Sequence, residues 1–255
     1  MKRLLILLSM SLIVFLTACT VVTGDGNVVT QSYDVADFDS ISLSGIGDVN
    51  VTVGDEQSVT LRTDENIQAL VLVEVRDGTL HLGLKNNTAI SNVTEMTYTI
   101  TVVDLSAASV SGSGNMTITS LETERFTIDV SGAGDMTVDD IQADDMTVSV
   151  SGSGDVNLDT LTADTIRLNV SGAGDLDVSG TTDNVVIDVS GSSEINAYDL
   201  ETQTADVSIS GSGSVNITVS DALTGRVSGS GEINYRGDAT VDVNVSGSGD
   251  VNQSN

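Results

Sequence analysis

Residues 151–174 read SGSGDVNLDTLTADTIRLNVSGAG, and this stretch decides the fold. Two glycine-rich motifs, opening at Ser151 and Ser171, stand 20 residues apart with Val156, Leu158, Leu161, Ile166, Leu168 and Val170 between them. The preceding unit places Met136, Val138, Ile141, Met146, Val148 and Val150 at the same six offsets, and the one before it Met116, Ile118, Leu121, Phe126, Ile128 and Val130. Each unit holds two short runs in which apolar and polar residues alternate, separated by a corner such as Thr162-Ala163-Asp164. A period of two is that of half-buried strands and excludes helix.

Working outward, the motif recurs as SGSGN at 111–115, SGAGD at 131–135, SGSGD at 151–155, SGAGD at 171–175, SGSSE at 190–194, SGSGS at 210–214, SGSGE at 228–232 and SGSGD at 246–250. Start-to-start spacings are 20, 20, 20, 19, 20, 18 and 18, and an earlier copy, SGIGD, occupies 44–48. A 20-residue unit cannot bury its apolar face alone; units stacked one strand spacing apart, ~4.8 Å, align Val on Val and Leu on Leu into a continuous dry core. The reading is an all-β chain forming a right-handed parallel β-helix, or β-solenoid. The alternative, a hairpin-rich sandwich or propeller, fits poorly, because each unit carries one glycine turn in constant register and a four-stranded blade needs ~40 residues. Residues 33–105 are less regular, with alternating runs at Ile41–Leu43, Val49–Val53, Val59–Leu61, Val71–Val75, Leu80–Leu84 and Tyr98–Val102. They read as irregular opening rungs or an N-terminal cap, ahead of a regular solenoid over 106–255.

The SGxGD corner has a structural reading first. Its glycines admit positive φ, which a sharp corner favours, and its Ser and Asp side chains can satisfy backbone groups exposed there. Calcium is the sharper reading, since stacked carboxylates repel and a divalent ion would relieve them. Against it stand the 20-residue period, the absence of a Gly-Gly pair, and a last position that drifts from Asp155 and Asp175 to Glu194 and Ser214. No metal and no cofactor is expected.

Composition narrows the function. The 255 residues hold 37 Asp plus Glu against 9 Lys plus Arg, with no Pro or Trp, one Cys and one His, for a net charge of −28. Such a chain repels phosphate, so nucleic acid is excluded as a partner. A disulfide framework is impossible with one cysteine, and 39% apolar residues argue against disorder. Met1-Lys2-Arg3 followed by the apolar run Leu4–Leu16 is a secretory leader, too short to span a bilayer. The run ends in Leu16-Thr17-Ala18-Cys19, which resembles a bacterial lipoprotein cleavage motif. Residues 1–18 are then a signal peptide, Cys19 the lipid attachment site, and 19–32 a lipidated N-terminus and tether. The mature chain carries 37 acids against 7 bases, net −30. It would be held to the bacterial envelope by acyl chains rather than by charge, and the absence of Asp at Thr20 and Val21 is consistent with the outer membrane.

Catalytic chemistry finds little footing. His81, between Leu80 and Leu82, reads as an outward strand residue, and the many serines have no activating base in sequence. No SGxG copy continues into a phosphate-binding loop. Asp139-Asp140 and Asp144-Asp145 are the acids a polysaccharide-cleaving β-helix would use, yet basic residues are scattered singly (Arg62, Arg76, Lys85, Arg125, Arg167, Arg226, Arg236) and Trp is absent.

These features together resemble the family described as putative auto-transporter adhesin, head GIN domain. The matching residues are Phe38-Asp39-Ser40-Ile41 leading to Gly47-Asp48-Val49, Asp77-Gly78-Thr79-Leu80, Tyr98–Val102 before Leu105, and Val110–Met116. The resemblance implies a β-helical fold at the bacterial surface and assigns no catalytic or binding residues. The expectation is therefore a non-enzymatic, lipid-anchored surface protein presenting a rigid acidic face to a glycan or protein partner. The alternatives are a self-assembling envelope module whose solenoid ends associate, and, third, a polysaccharide-acting enzyme.

Overall fold

The computed structural model describes residues 20–86 and 88–254; Cys19 and the leader lie outside the described residues. The strands of the first part are β1 (Thr20–Thr23), β2 (Val28–Tyr33), β3 (Ser40–Ser44), β4 (Asp48–Val53), β5 (Ser58–Asp64), then the short helix α1 (Glu65–Gln68), β6 (Val71–Arg76), β7 (Thr79–Leu84), β8 (Thr88–Ser91) and β9 (Met96–Val102). The repeat region continues with β10 (Ala107–Val110), β11 (Asn115–Ile118), β12 (Leu121–Val130), β13 (Met136–Val138), β14 (Ile141–Val150), β15 (Val156–Val170), β16 (Leu176–Val189), β17 (Glu194–Gly211), β18 (Ser214–Gly229), β19 (Glu232–Arg236), β20 (Thr240–Gly247) and β21 (Asp250–Gln253).

Alternation and repeat length together produce a parallel β-solenoid of about seven turns. Each coil lies in register on the one before: Met136 faces Met116 and Val156, and Val148 faces Ile128 and Leu168. All eighteen apolar residues of the three units that define the repeat are buried, so the aliphatic columns run unbroken through the interior. Between the two expected runs a third short segment also pairs, Leu161–Ala163 on Ile141–Ala143. The departures from a 20-residue unit are absorbed there. One residue is lost between Val178 and Gly180, and the ladder slips between Ala197 and Glu201, while the glycine corner keeps its register.

The corner meets the expectation of positive φ at Gly45, Gly47, Gly211, Gly229 and Gly247 and departs from it in the middle coils. In the coils carrying Gly112, Gly132, Gly152 and Gly172 these glycines do not adopt left-handed φ. Side chains are excluded there by the neighbouring coil. The carbonyl of Gly132 turns along the solenoid axis to accept the Ser153 N–H at 2.9 Å, and a Cβ on Gly152 would sit 2.0 Å from that same oxygen. Gly132 over Gly112 and Gly172 over Gly152 repeat the clash at 2.1 and 2.2 Å. The stacking hydrogen bond and a β-carbon thus compete for one volume. The second glycine column is less strict, since Ser193 stands in it, buried, with its hydroxyl donating to Gly172 O at 3.1 Å.

The N-terminal third is wound out of chain order. β3 and β4 form a rung directly beneath β10 and β11, but on their other side lie the later strands β7 and β9. The end of the solenoid is closed by antiparallel strands, β6 on β7, β5 on β9 and β2 on β5. The β6–β7 hairpin turns at Asp77-Gly78, both at positive φ, the backbone that a tight hairpin turn requires and that Asp-Gly accommodates. Antiparallel closure removes the open aliphatic end that a bare rung would present.

Residues 20–32, expected to be a tether, are ordered in two strands. β1 lies parallel to β8, and β2 runs along β5. The reason lies some 40 residues ahead. The Asp64 carboxylate, shielded from solvent, accepts hydrogen bonds from Gly26 N–H at 2.6 Å, Thr94 N–H at 2.7 Å and Thr94 Oγ1 at 2.9 Å, and Asn66 Nδ2 donates to Thr23 O at 2.7 Å. Desolvation by burial would raise the pKa of Asp64, but these hydrogen bonds outweigh it and hold the group below the ordinary carboxylate value.

Two outcomes follow. Gly152→Ala should lower stability by about 3 kcal/mol or more in denaturant unfolding, whereas Ser153→Ala, at the exposed tip of the same corner, should stay within about 0.5 kcal/mol. Because the Asp64 pKa is depressed in the folded state, its stabilisation is complete above the unfolded value and is lost as pH falls through the folded one. Amide exchange at residues 23–27 should therefore accelerate below about pH 4, and Asp64→Asn should show fast exchange there already at neutral pH.

Candidate binding surface

The acidic end of each SGxGD corner projects outward on a turn fixed by the glycines. Asp135 Oδ1 accepts the Asp155 N–H at 2.9 Å, Asp155 Oδ1 the Asp175 N–H at 2.8 Å, and Asp175 Oδ1 the Glu194 N–H at 2.9 Å. The carboxylates satisfy the next coil's backbone, as the structural reading of the motif expects. Asn115 Oδ1 accepts from Asp135 N–H at 3.1 Å, so an amide performs the same task and the negative charge is not needed for it. Neighbouring charges one coil apart repel by about 1 kcal/mol in water-like surroundings, comparable with the net worth of one such hydrogen bond. Beside this ladder runs an amide column in which Asn234 Nδ2 donates to Asn216 Oδ1 at 3.1 Å and Asn252 Nδ2 to Asn234 Oδ1 at 3.3 Å.

On the opposite side, where the coils shorten, an open groove of about 630 Å³ crosses five coils. Its floor includes Ala163, Thr182, Thr202 and Val219, all buried. The Thr182 hydroxyl donates to Asp164 O and Asn184 O, and that of Thr202 to Asp183 O and Thr204 O. Asp164, Asp183, Glu201 and Asp238 rim it, and Gln203 Nε2 donates to Asp183 Oδ1. The groove offers acceptors and hydroxyls, with no histidine, lysine or arginine along it. Sequence reading did not single out these residues; the signal was the fall in repeat spacing from 20 to 18, which shortens the corner over Thr218–Ser220. Next to the groove's end Arg236 lies over the Tyr198 ring, 3.8 Å from its centroid.

The residues weighed as catalytic do not converge. His81 lies in β7 between the buried Leu80 and Leu82, with Ser42 and Glu74 as its cross-strand neighbours. Asp139, Asp140, Asp144 and Asp145 are exposed, and Asp145 meets the Arg125 guanidinium at 3.6 Å across two well-exposed side chains. In the cap interior, burial and, for Tyr98, the neighbouring Tyr33 raise the pKa values of both phenols, keeping them protonated. Among the described residues no three His, Cys, Asp or Glu side chains gather as a metal site.

The family model described as putative auto-transporter adhesin, head GIN domain, matches residues 37–160 and again 128–239. A putative adhesin from Parabacteroides distasonis is 26% identical, with a TM-score of 0.86 over 92% of this chain and 100% of its own. A putative lipid binding protein from the same species is 25% identical, with a TM-score of 0.84 over 92% and 100%. A putative adhesin from Parabacteroides merdae shares the fold, with 23% identity and a TM-score of 0.87 over 92% and 99%. No curated protein shows significant similarity to the chain.

If the carboxylate ladder serves the backbone and not a bound cation, Asp155→Asn should leave the midpoint of thermal unfolding nearly unchanged. Asp155→Ala, which leaves the Asp175 N–H without its acceptor, should cost about 1 kcal/mol.

Proposed function

The chain belongs to the putative auto-transporter adhesin, head GIN domain family, and from that membership we propose that it is a non-catalytic adhesin of the bacterial surface, anchored by lipid at Cys19. The observation that carries this reading is the order of the N-terminus. β1 begins at Thr20, one residue after the cysteine of the lipoprotein motif, and it is fastened to β8 in the cap. Acyl chains at Cys19 would have no slack, so the cap would rest at the bilayer surface. Each coil then carries the chain ~4.8 Å further from the membrane, about 34 Å over the seven turns. A mature body of net −30 gains nothing from anionic headgroups and stands off them.

A non-catalytic role is supported by the family and by a structural neighbour, both described as putative adhesins. A rigid stack with one face of Ser, Thr, Asp and Asn is instead suited to contact: its side chains lose little entropy on binding, since many are already tied into ladders.

The test is membrane fractionation. Cys19→Ala should shift the protein from the membrane to the soluble fraction. Retention of the variant in the membrane fraction would refute lipid anchoring.

A further inference from the structure

The chain between Cys19 and β2 is held by a different kind of contact from the rest of the fold. β1 and β8 form a two-stranded sheet of their own, outside the 19-stranded sheet that holds every other described strand. β8 pairs with β1 alone, from Thr20↔Thr88 to Thr23↔Ser91. Two strands without a third are marginal in water unless something else holds them. Apolar burial supplies little here: Val21 is 58% exposed, and Val22, Ile90 and Val93 are only partly buried against the core.

What holds them is polar and converges on one tripeptide, Asp64-Glu65-Asn66. The Asp64 carboxylate binds one segment through the Gly26 N–H and the other through Thr94. Asn66 Oδ1 accepts the Asp25 N–H at 3.2 Å, Asn27 Nδ2 donates to Glu65 Oε2 at 2.7 Å, and the Glu65 N–H donates to Asn27 O at 2.9 Å. Between the two segments Gly24 passes through a notch. Its N–H donates to Ser91 O at 3.1 Å, and a Cβ on it would lie 2.7 Å from Asp64 Oδ2 and 2.8 Å from Asn92 O. When β1 leaves, β8 is left without a strand partner and Asp64 with one donor residue in place of two.

We infer that residues 20–27 and 88–94 are one releasable strap, which opens as a unit while the solenoid stays closed. Local opening is favoured where buried apolar contacts are few and exposed polar ones many, which describes this pair and not the aliphatic columns. Release stops at β2, which runs antiparallel to β5 inside the large sheet and whose Tyr33 packs against the core. The inference deepens the proposed function and rests on it for its consequence. With lipid at Cys19 the strap is the link through which the anchor pulls, because tension from the membrane enters at Thr20 and meets β1 first. Closed, it holds the cap at the bilayer. Open, residues 20–27 add about 26 Å of reach. The adhesin gains slack under load without unfolding the stack that makes contact.

The strap is tested on the full chain without any membrane. Gly24→Ala, whose Cβ does not fit the notch, should speed amide exchange by roughly tenfold or more at 20–27 and at 88–94 alike, with β12 and β14 unchanged. Asn66→Ala, which removes an exposed side chain, should do the same to a smaller degree. Thr23 Oγ1 lies 3.2 Å from Ser91 Oγ, on strands one spacing apart and within disulfide reach. Oxidised Thr23→Cys/Ser91→Cys in a Cys19→Ala background should therefore slow both segments to the pace of the cap strands. No acceleration in Gly24→Ala, acceleration confined to 20–27, or acceleration that spreads into β12 and β14 would overturn the strap. Force is the second measurement. Pulled between a handle on Cys19, the only cysteine, and one at the C-terminus, the chain should yield first in a single step of up to about 26 Å, and the disulfide-locked strap should lack that step. A first step that survives the lock, or none before the solenoid ruptures, would overturn release under load. Membrane retention of Cys19→Ala would count against the anchor and leave both results standing.

Discussion

The structure depends on a single crowded contact, the carbonyl oxygen of one corner glycine pressed toward the α-carbon of the glycine above it. That oxygen must point along the solenoid axis to receive the next coil's N–H, and in doing so it fills the space of a side chain. In the first glycine column every coil accordingly keeps glycine, from Gly45 to Gly247. Once the corner fixes coil spacing, the alternation of the flanking strands places Val, Ile, Leu and Met in columns, and burial of those columns supplies the stabilisation. Length can then vary elsewhere, and it does so away from the corner, where loss of residues opens the groove beside Thr182 and Thr202.

An excess of acid is tolerated by this architecture because it is spread along a rod. Stacked Asp135, Asp155 and Asp175 repel, yet each also caps an N–H that would otherwise lack a partner at the turn. Asn115 shows that the hydrogen bond and the charge are separable. The charge is therefore not required by the hydrogen bond that the corner makes.

Much of the solenoid was legible in the sequence, because identical offsets in successive units can be laid on one another without knowing the coordinates. The columns through Val130, Val150 and Val170 needed nothing else. Three features were not legible. The glycines invited a dihedral explanation, which holds at Gly45, Gly211, Gly229 and Gly247, while the close approach that excludes a side chain from Gly112 to Gly172 is invisible in a single motif. The rung built by β3 and β4 sits between β7–β9 and β10–β11, an order that reverses chain sequence and is set by long-range pairing. The stretch after Cys19 is short, polar and glycine-bearing like a linker, and what orders it, Asp64 and Asn66, lies some 40 residues downstream. The groove was half legible: the change in spacing marked the coil where it opens, but not that the shortened side would be concave.

The central claim is that the glycine corners lie on one line at constant spacing, and spin-label distances along that line measure it directly. With one label at Ala133 and the second at Ser212, Ser230 or Ser248, four, five and six coils away, the separations should be about 19, 24 and 29 Å, growing by ~4.8 Å per coil. Distances that do not rise with coil number, or that place Ser248 nearer to Ala133 than Ser212 is, would contradict a stacked solenoid and everything built on it.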